Sequence, residues 1–261
     1  MNNNPIGVFD SGVGGLSVLL EIKKLLPNES SIFVADQAYV PYGAKTKEEL
    51  IDRVGRILGF FKEKNVKAVV FACNTATVYT IDEMRKKFEF PIIGTVPVVK
   101  TIANLSKSGK TAVFSTPATA KSPYLQELID KFASNVSVEC VGGSNLEELV
   151  ENGEIDSYET IEILKKHLLP LVKNRVDAIA LGCTHYPFLR EEIEKIVGPE
   201  VMIVDSGGAV ARRLKQILTA ENLLSNQNGS NLYYTTGNVE KFERVSGKLL
   251  GEKIEAEHIS L

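Results

Sequence analysis

Two cysteines close the same kind of stretch at two places in the chain. Val66-Lys67-Ala68-Val69-Val70-Phe71-Ala72 runs into Cys73-Asn74-Thr75, and Val176-Asp177-Ala178-Ile179-Ala180-Leu181-Gly182 runs into Cys183-Thr184-His185-Tyr186-Pro187. Each is a short apolar run followed by a small residue, a thiol and polar groups, the pattern of a buried parallel strand that delivers reactive groups to its carboxyl end. Pro187 suits the first turn of a following helix. Two such thiols can form a redox pair, act as nucleophile and spectator, or serve as an opposed proton acceptor and donor. Redox is disfavoured because no Cys-x-x-Cys occurs, and a hydrolase with one nucleophile leaves the second stretch unexplained. An opposed acid and base suit a reaction in which a proton leaves one face of a carbon and returns to the other. His185, two residues after Cys183, lies on the same side as the thiol if the strand persists that far. The third cysteine, Cys140, stands in an apolar alternation with no acid or imidazole beside it and reads as an inert core thiol.

The elements that must position these groups follow an alternating plan. Ile6 to Phe9 reads as a strand running into Asp10-Ser11-Gly12-Val13-Gly14-Gly15 and then a helix. Such a turn lets backbone amides approach an anion, although it lacks the lysine and Ser/Thr pair of a triphosphate loop. Ser31 to Asp36 is a second strand, Pro41-Tyr42-Gly43 a loop, and Thr46 and Glu49 have capping-box spacing ahead of a long helix. After Cys73 the pattern predicts a helix over Ile81 to Phe88 and a strand with hinge over Pro91 to Pro97. It then restarts at Thr111 to Phe114, which ends in Ser115-Thr116-Pro117-Ala118-Thr119, followed by a helix near Tyr124 to Phe132 and a strand over Val136 to Val141.

Ser144 and Glu147 predict a second capping box on a short helix. A long helix with Pro170 as kink or terminus leads to the Cys183 strand, and Pro187 to Val197 forms a helix. Val201 to Asp205 is a strand entering a second Asp-Ser-Gly turn. A helix over Ala209 to Leu218, strands at Leu232 to Thr235 and near Ile254, and a helix over Val239 to Leu250 complete the chain. Alternation of this kind predicts an α/β protein with two doubly wound parallel sheets, helices on both faces. The expected domains are residues 1–97 with 208–261, carrying Asp10 and Cys73, and residues 98–207, carrying Cys183 and His185. Ligands of open α/β sheets bind outside the carboxyl ends of the strands, where Asp10, Cys73, Thr116 and Cys183 all fall. If the domains face each other, the two thiols flank one central cleft.

With 261 residues and 44% hydrophobic content, the chain can fill two modest cores. Thirty basic against thirty-three acidic residues, a formal charge of −3 and no basic block argue against nucleic-acid binding. No apolar run approaches a membrane span, and the amino terminus lacks the pattern of a secretory signal, so a cytoplasmic protein without membrane partners is expected. Three scattered cysteines make neither a disulfide framework nor a zinc cage.

Phe9-Asp10-Ser11-Gly12-Val13-Gly14-Gly15, Pro41-Tyr42-Gly43, Cys73-Asn74-Thr75, Gly182-Cys183-Thr184-His185-Tyr186-Pro187 and Asp205-Ser206-Gly207 together resemble the cofactor-independent glutamate racemases of the aspartate/glutamate racemase superfamily. The resemblance covers nearly the whole chain. It implies interconversion of L- and D-glutamate without cofactor or metal, with Cys73 and Cys183 as the two acid/base residues. Asp10 would assist Cys73, and His185 would assist Cys183 with Glu151, or in its place Glu148 or Glu154. Asp10, Ser11, Pro41, Tyr42, Gly43, Asn74, Thr75, Thr116, Thr119, Thr184 and His185 would hold the amino acid. Thr77 stands where relatives often carry serine. A homodimer and a supply of D-glutamate for peptidoglycan are also implied. An aspartate racemase or related two-cysteine isomerase, and a two-domain amino-acid-binding protein without catalysis, remain as alternatives.

Overall fold

The computed structural model describes residues 2–261. In chain order the first elements are β1 (Ile6–Asp10), α1 (Leu16–Leu25), β2 (Ser31–Ala35), α2 (Lys47–Glu63), β3 (Ala68–Phe71), α3 (Asn74–Lys87) and β4 (Ile92–Gly94). Next come α4 (Val99–Leu105), β5 (Lys110–Ser115), α5 (Pro117–Ala120), α6 (Pro123–Phe132), β6 (Ser137–Gly142), α7 (Leu146–Glu151), α8 (Tyr158–Lys173), β7 (Ala178–Leu181), α9 (Arg190–Val197) and β8 (Met202–Val204). The chain closes with α10 (Gly207–Ala220), β9 (Asn231–Thr235), α11 (Val239–Leu250) and β10 (Ala256–His258). It divides into two compact units, one made of the residues up to Thr95 together with Gly207–Leu261, the other of Val96–Ser206.

The first unit is built on a six-stranded sheet in the order β10-β9-β2-β1-β3-β4, the second on a four-stranded sheet in the order β6-β5-β7-β8, and every pairing is parallel. β1, β2 and β3 are buried along their whole length, which is why they read as unbroken apolar runs rather than alternations. On one face Phe9, Ile32, Val34 and Phe71 pack with Leu50, Val54, Ile57, Leu58 and Phe61 from α2. α2 starts where the expected capping box places it: the Thr46 hydroxyl accepts from the Glu49 amide at 3.2 Å, and the Glu49 carboxylate accepts from the Thr46 amide at 2.7 Å. The smaller core holds Val113, Ala178 and Ala180 against Ile102, Leu125 and Ala133.

Several local expectations are corrected. α3 begins at Asn74, directly after Cys73, and not at Ile81; Thr75, Thr77 and Thr80 mask the apolar period over its first two turns. The Ser144 capping box does not form, because Asn145 caps α7 in the left-handed conformation at φ 67° with no side-chain bond. Pro170 neither ends nor breaks α8, which continues to Lys173; a proline this near a carboxyl terminus removes only one bond of the last turn. The stretch from Pro187 opens as a 3-10 turn over Tyr186–Leu189 before α9 takes over. The last strand is Ala256–His258, past Ile254. Cys140 is exposed rather than in a core, since β6 is an edge strand whose residues are all half-buried or exposed.

Candidate active site

In the first unit, β1 and β3 lie side by side with Phe9 opposite Phe71, so Asp10 and Cys73 emerge from neighbouring strand ends. Asp10 is buried, not a solvated turn residue. The glycine at position 15 makes this possible: a Cβ there would stand 2.6 Å from the Asp10 Cβ. Cys73 caps α3, its sulfur accepting from the Ala76 amide at 3.4 Å, while the Thr77 hydroxyl donates to the Cys73 carbonyl at 2.9 Å. The thiol also reaches the Ser11 hydroxyl at 3.8 Å. Ser11 in turn donates to Asp10 Oδ1, from its amide at 2.7 Å and its hydroxyl at 3.3 Å. Burial first, and the Asp10 charge second, push the Cys73 thiol well above its ordinary value.

Asn74 and Thr75 open α3 beside the thiol, both buried, and the Asn74 Oδ1 has no hydrogen-bond partner among the described residues. Pro41 follows a cis peptide bond, and Tyr42 and Gly43 lie in a 3-10 turn. The Tyr42 hydroxyl donates to Asp36 at 2.7 Å, so its side chain is committed within the protein.

The second unit repeats the construction with different chemistry. β7 ends at Leu181, Gly182 donates to the Phe114 carbonyl at 2.7 Å, and Cys183 follows. Gly182 is again obligatory, because a Cβ would stand 2.8 Å from that of Ser115. The Cys183 sulfur lies 3.6 Å from His185 Nδ1, and His185 Nε2 lies 2.7 Å from Glu151 Oε1. The carboxylate accepting from Nε2–H leaves the neutral ring with its Nδ1 lone pair turned to the thiol, the tautomer that can take the thiol's proton. Burial disfavours a charged ring, yet the hydrogen bonds to Cys183 and Glu151 outweigh it, and His185 is raised well above its ordinary value. Burial raises the Cys183 thiol, and His185 pulls it back down.

Of the three acids offered by the sequence, Glu151 is the one that meets the imidazole. Glu147, one turn earlier on α7, reads in the sequence only as a capping-box partner of Ser144; the structure sets it near His185, with burial raising it and the His185 charge opposing that rise. Its i, i+4 relation to Glu151 was the available signal. Tyr186, fully buried, donates to the Ser115 and Gly143 carbonyls at 3.1 and 3.0 Å and pins the turn after His185 to β5 and to the end of β6. Thr116 caps α5, accepting from the Thr119 amide at 3.1 Å, and its hydroxyl meets that of Thr119 at 3.1 Å. Thr184 is buried between Cys183 and His185. The structure thus brings together Asp10, Ser11, Cys73 and Asn74 in one unit, and Glu151, Cys183 and His185 in the other. Among the described residues no group of three or more histidines, cysteines or acids is placed to hold a metal ion, and no helix is long and apolar enough to cross a membrane.

The family model for Asp/Glu/hydantoin racemases matches residues 6–214. The chain belongs to that racemase family. A glutamate racemase from Stutzerimonas stutzeri is 41% identical over 249 residues, covering 95% of this chain and 94% of its own. Among solved structures, a glutamate racemase isoform from Bacillus anthracis is 34% identical with a TM-score of 0.89, covering 100% of this chain and 99% of its own. The Escherichia coli glutamate racemase, solved in complex with L-glutamate and an activator, is 32% identical with a TM-score of 0.87, covering 98% and 97%. The protein is therefore an isomerase, an amino-acid racemase, on the two-sheet α/β fold of those structures.

Proposed function

We propose that this racemase interconverts L- and D-glutamate, with Cys73 and Cys183 as the acid and the base of one proton exchange at Cα. The observation that carries the reading is the duplicated strand-end thiol, one linked through Ser11 to Asp10 and the other beside His185, in a chain so close to glutamate racemases. One cysteine, as thiolate, takes the α-proton; the other, as thiol, returns its own proton to the opposite face, and the roles exchange in the reverse direction. No electron is transferred and no group leaves, so the substrate changes only in configuration.

The α-proton is far less acidic than a thiol, so the negative charge developing at Cα must be met by fixed dipoles and protected from water. The amides at the start of α3 and the hydroxyls of Ser11, Thr75, Thr116, Thr119 and Thr184 would hold the carboxylates, with Pro41, Tyr42 and Gly43 completing the grip through the backbone of their turn. The unpartnered Asn74 Oδ1 would accept from the ammonium group. Asp10 would draw the Cys73 proton through Ser11, and His185, backed by Glu151, would draw that of Cys183.

The test is incubation with L-glutamate in D2O without added cofactor, following optical rotation and the α-proton signal. Loss of both together supports the reading; if neither changes while L-aspartate racemises, the substrate is wrong. A cytoplasmic homodimer supplying D-glutamate for peptidoglycan follows from the resemblance. A single elution peak at monomer mass would remove the dimer, and a host depleted of the protein that D-glutamate does not rescue would remove the cell-wall role.

A further inference from the structure

Asp36 is the residue after β2, and its backbone amide donates to the Asp10 carbonyl at 2.9 Å. Its carboxylate is fully buried and saturated: Oδ2 accepts from the Tyr42 hydroxyl at 2.7 Å and Arg53 Nε at 2.9 Å, and Oδ1 from Arg53 Nη2 at 2.6 Å and the Thr236 hydroxyl at 2.8 Å. Arg53 rises from α2, lies over the Tyr39 ring at 5.0 Å from its centroid, and gives its remaining nitrogen to the Leu261 carbonyl. One buried ion pair thus joins the end of β2, the 39–44 segment, α2 and the end of β9. Removing two charges from water is costly, and replacing a buried ion pair by apolar residues of similar volume often leaves stability unchanged or higher. A geometric role is what such a pair can supply and an apolar cluster cannot.

We propose that Asp36, held by Arg53, is a positioning residue for the racemisation: by fixing the Tyr42 hydroxyl it sets the Pro41-Tyr42-Gly43 segment beside the Asp10 end of β1. The inference rests on the reading above that this segment grips the substrate. Neither Asp36 nor Arg53 touches the reacting atoms; they act through Tyr42, and substrate binding should feel their loss more than the chemical step.

The experiment compares wild type, Asp36→Asn and Tyr42→Phe by steady-state racemisation of glutamate and by hydrogen exchange of the backbone. Asp36→Asn should raise KM by roughly 10-fold or more, with a smaller fall in kcat, and speed amide exchange over residues 37–46 while leaving 96–206 unchanged. Tyr42→Phe cuts only the contact to Asp36 and should raise KM in the same sense by less. A folded Asp36→Asn protein with wild-type KM and wild-type exchange over 37–46 overturns the proposal. If that variant fails to fold, Tyr42→Phe decides, and an unchanged KM overturns it equally. Wild type that does not racemise glutamate would sink the substrate reading instead, and the exchange of residues 37–46 would then decide the positioning role.

Discussion

The two thiols sit on matching scaffolds and in opposite electrostatic surroundings. Each follows a buried parallel strand, and each depends on a glycine that a Cβ would crowd out, Gly15 against Asp10 and Gly182 against Ser115. Around Cys73 the ionisable neighbour is a carboxylate, reached through Ser11, and it adds to burial in holding the sulfur protonated. Around Cys183 the neighbour is an imidazole that opposes burial, braced by Glu151. Duplication of a backbone device is therefore separable from duplication of its chemistry. The proposed two-thiol exchange would need one thiol charged and the other neutral at any moment, and unlike partners would bias which is which.

The largest effect should come from removing either sulfur. Cys73→Ala and Cys183→Ala should each lower racemisation by at least about 10³-fold, yet on the proposed two-thiol mechanism each would retain the base for one enantiomer. In D2O the two variants should exchange the α-proton of opposite enantiomers, and exchange of the same enantiomer by both would break the comparison. Next comes His185→Asn, which should lower kcat/KM by about 10²-fold. Because enantiomers have equal free energy, that fall must be the same in both directions. The asymmetry belongs in the isotope effect: with Cα-deuterated glutamate it should grow for the enantiomer deprotonated by Cys183 and not for the other.

Asp10→Asn separates proton affinity from catalysis. Asp10 raises Cys73, so its neutralisation lowers the thiol's pKa; alkylation of Cys73 at fixed pH should speed up in a Cys140→Ser, Cys183→Ala background. With both native thiols in place, racemisation should slow if Asp10 assists Cys73 as proposed. An unchanged alkylation rate would show that the carboxylate does not act on the sulfur.

The smallest effect concerns stability. His185 is raised in the folded protein, so the stability it contributes as a charged ring is complete below the ordinary histidine value of about 6.5. That contribution is lost as pH rises through the raised folded value. The stability gap between wild type and His185→Asn, from denaturant titrations at a series of pH values, should therefore narrow towards alkaline pH.

What the sequence alone determined is whatever local pattern and covalent neighbours specify. The apolar runs before Cys73 and Cys183, the Thr46 cap and the two-sheet alternation were legible because burial on both faces and helix capping leave short-range signatures. His185 was legible as the partner of Cys183 because only two positions separate them. Where local signals were ambiguous, the reading slipped: threonines hid the first turns of α3, and a left-handed Asn145 replaced the Ser144 cap. Cys140 kept a core-like alternation on a strand that the sheet order leaves at an edge.

Tertiary structure alone decided which of several acids meets His185, that Tyr42 spends its hydroxyl on Asp36, and that Asp36 and Arg53 form a buried pair. Each is a contact between elements far apart in the chain, or a choice among neighbours on one helix face. Periodicity says which residues turn inward, whereas the partner an inward side chain finds depends on how whole elements pack.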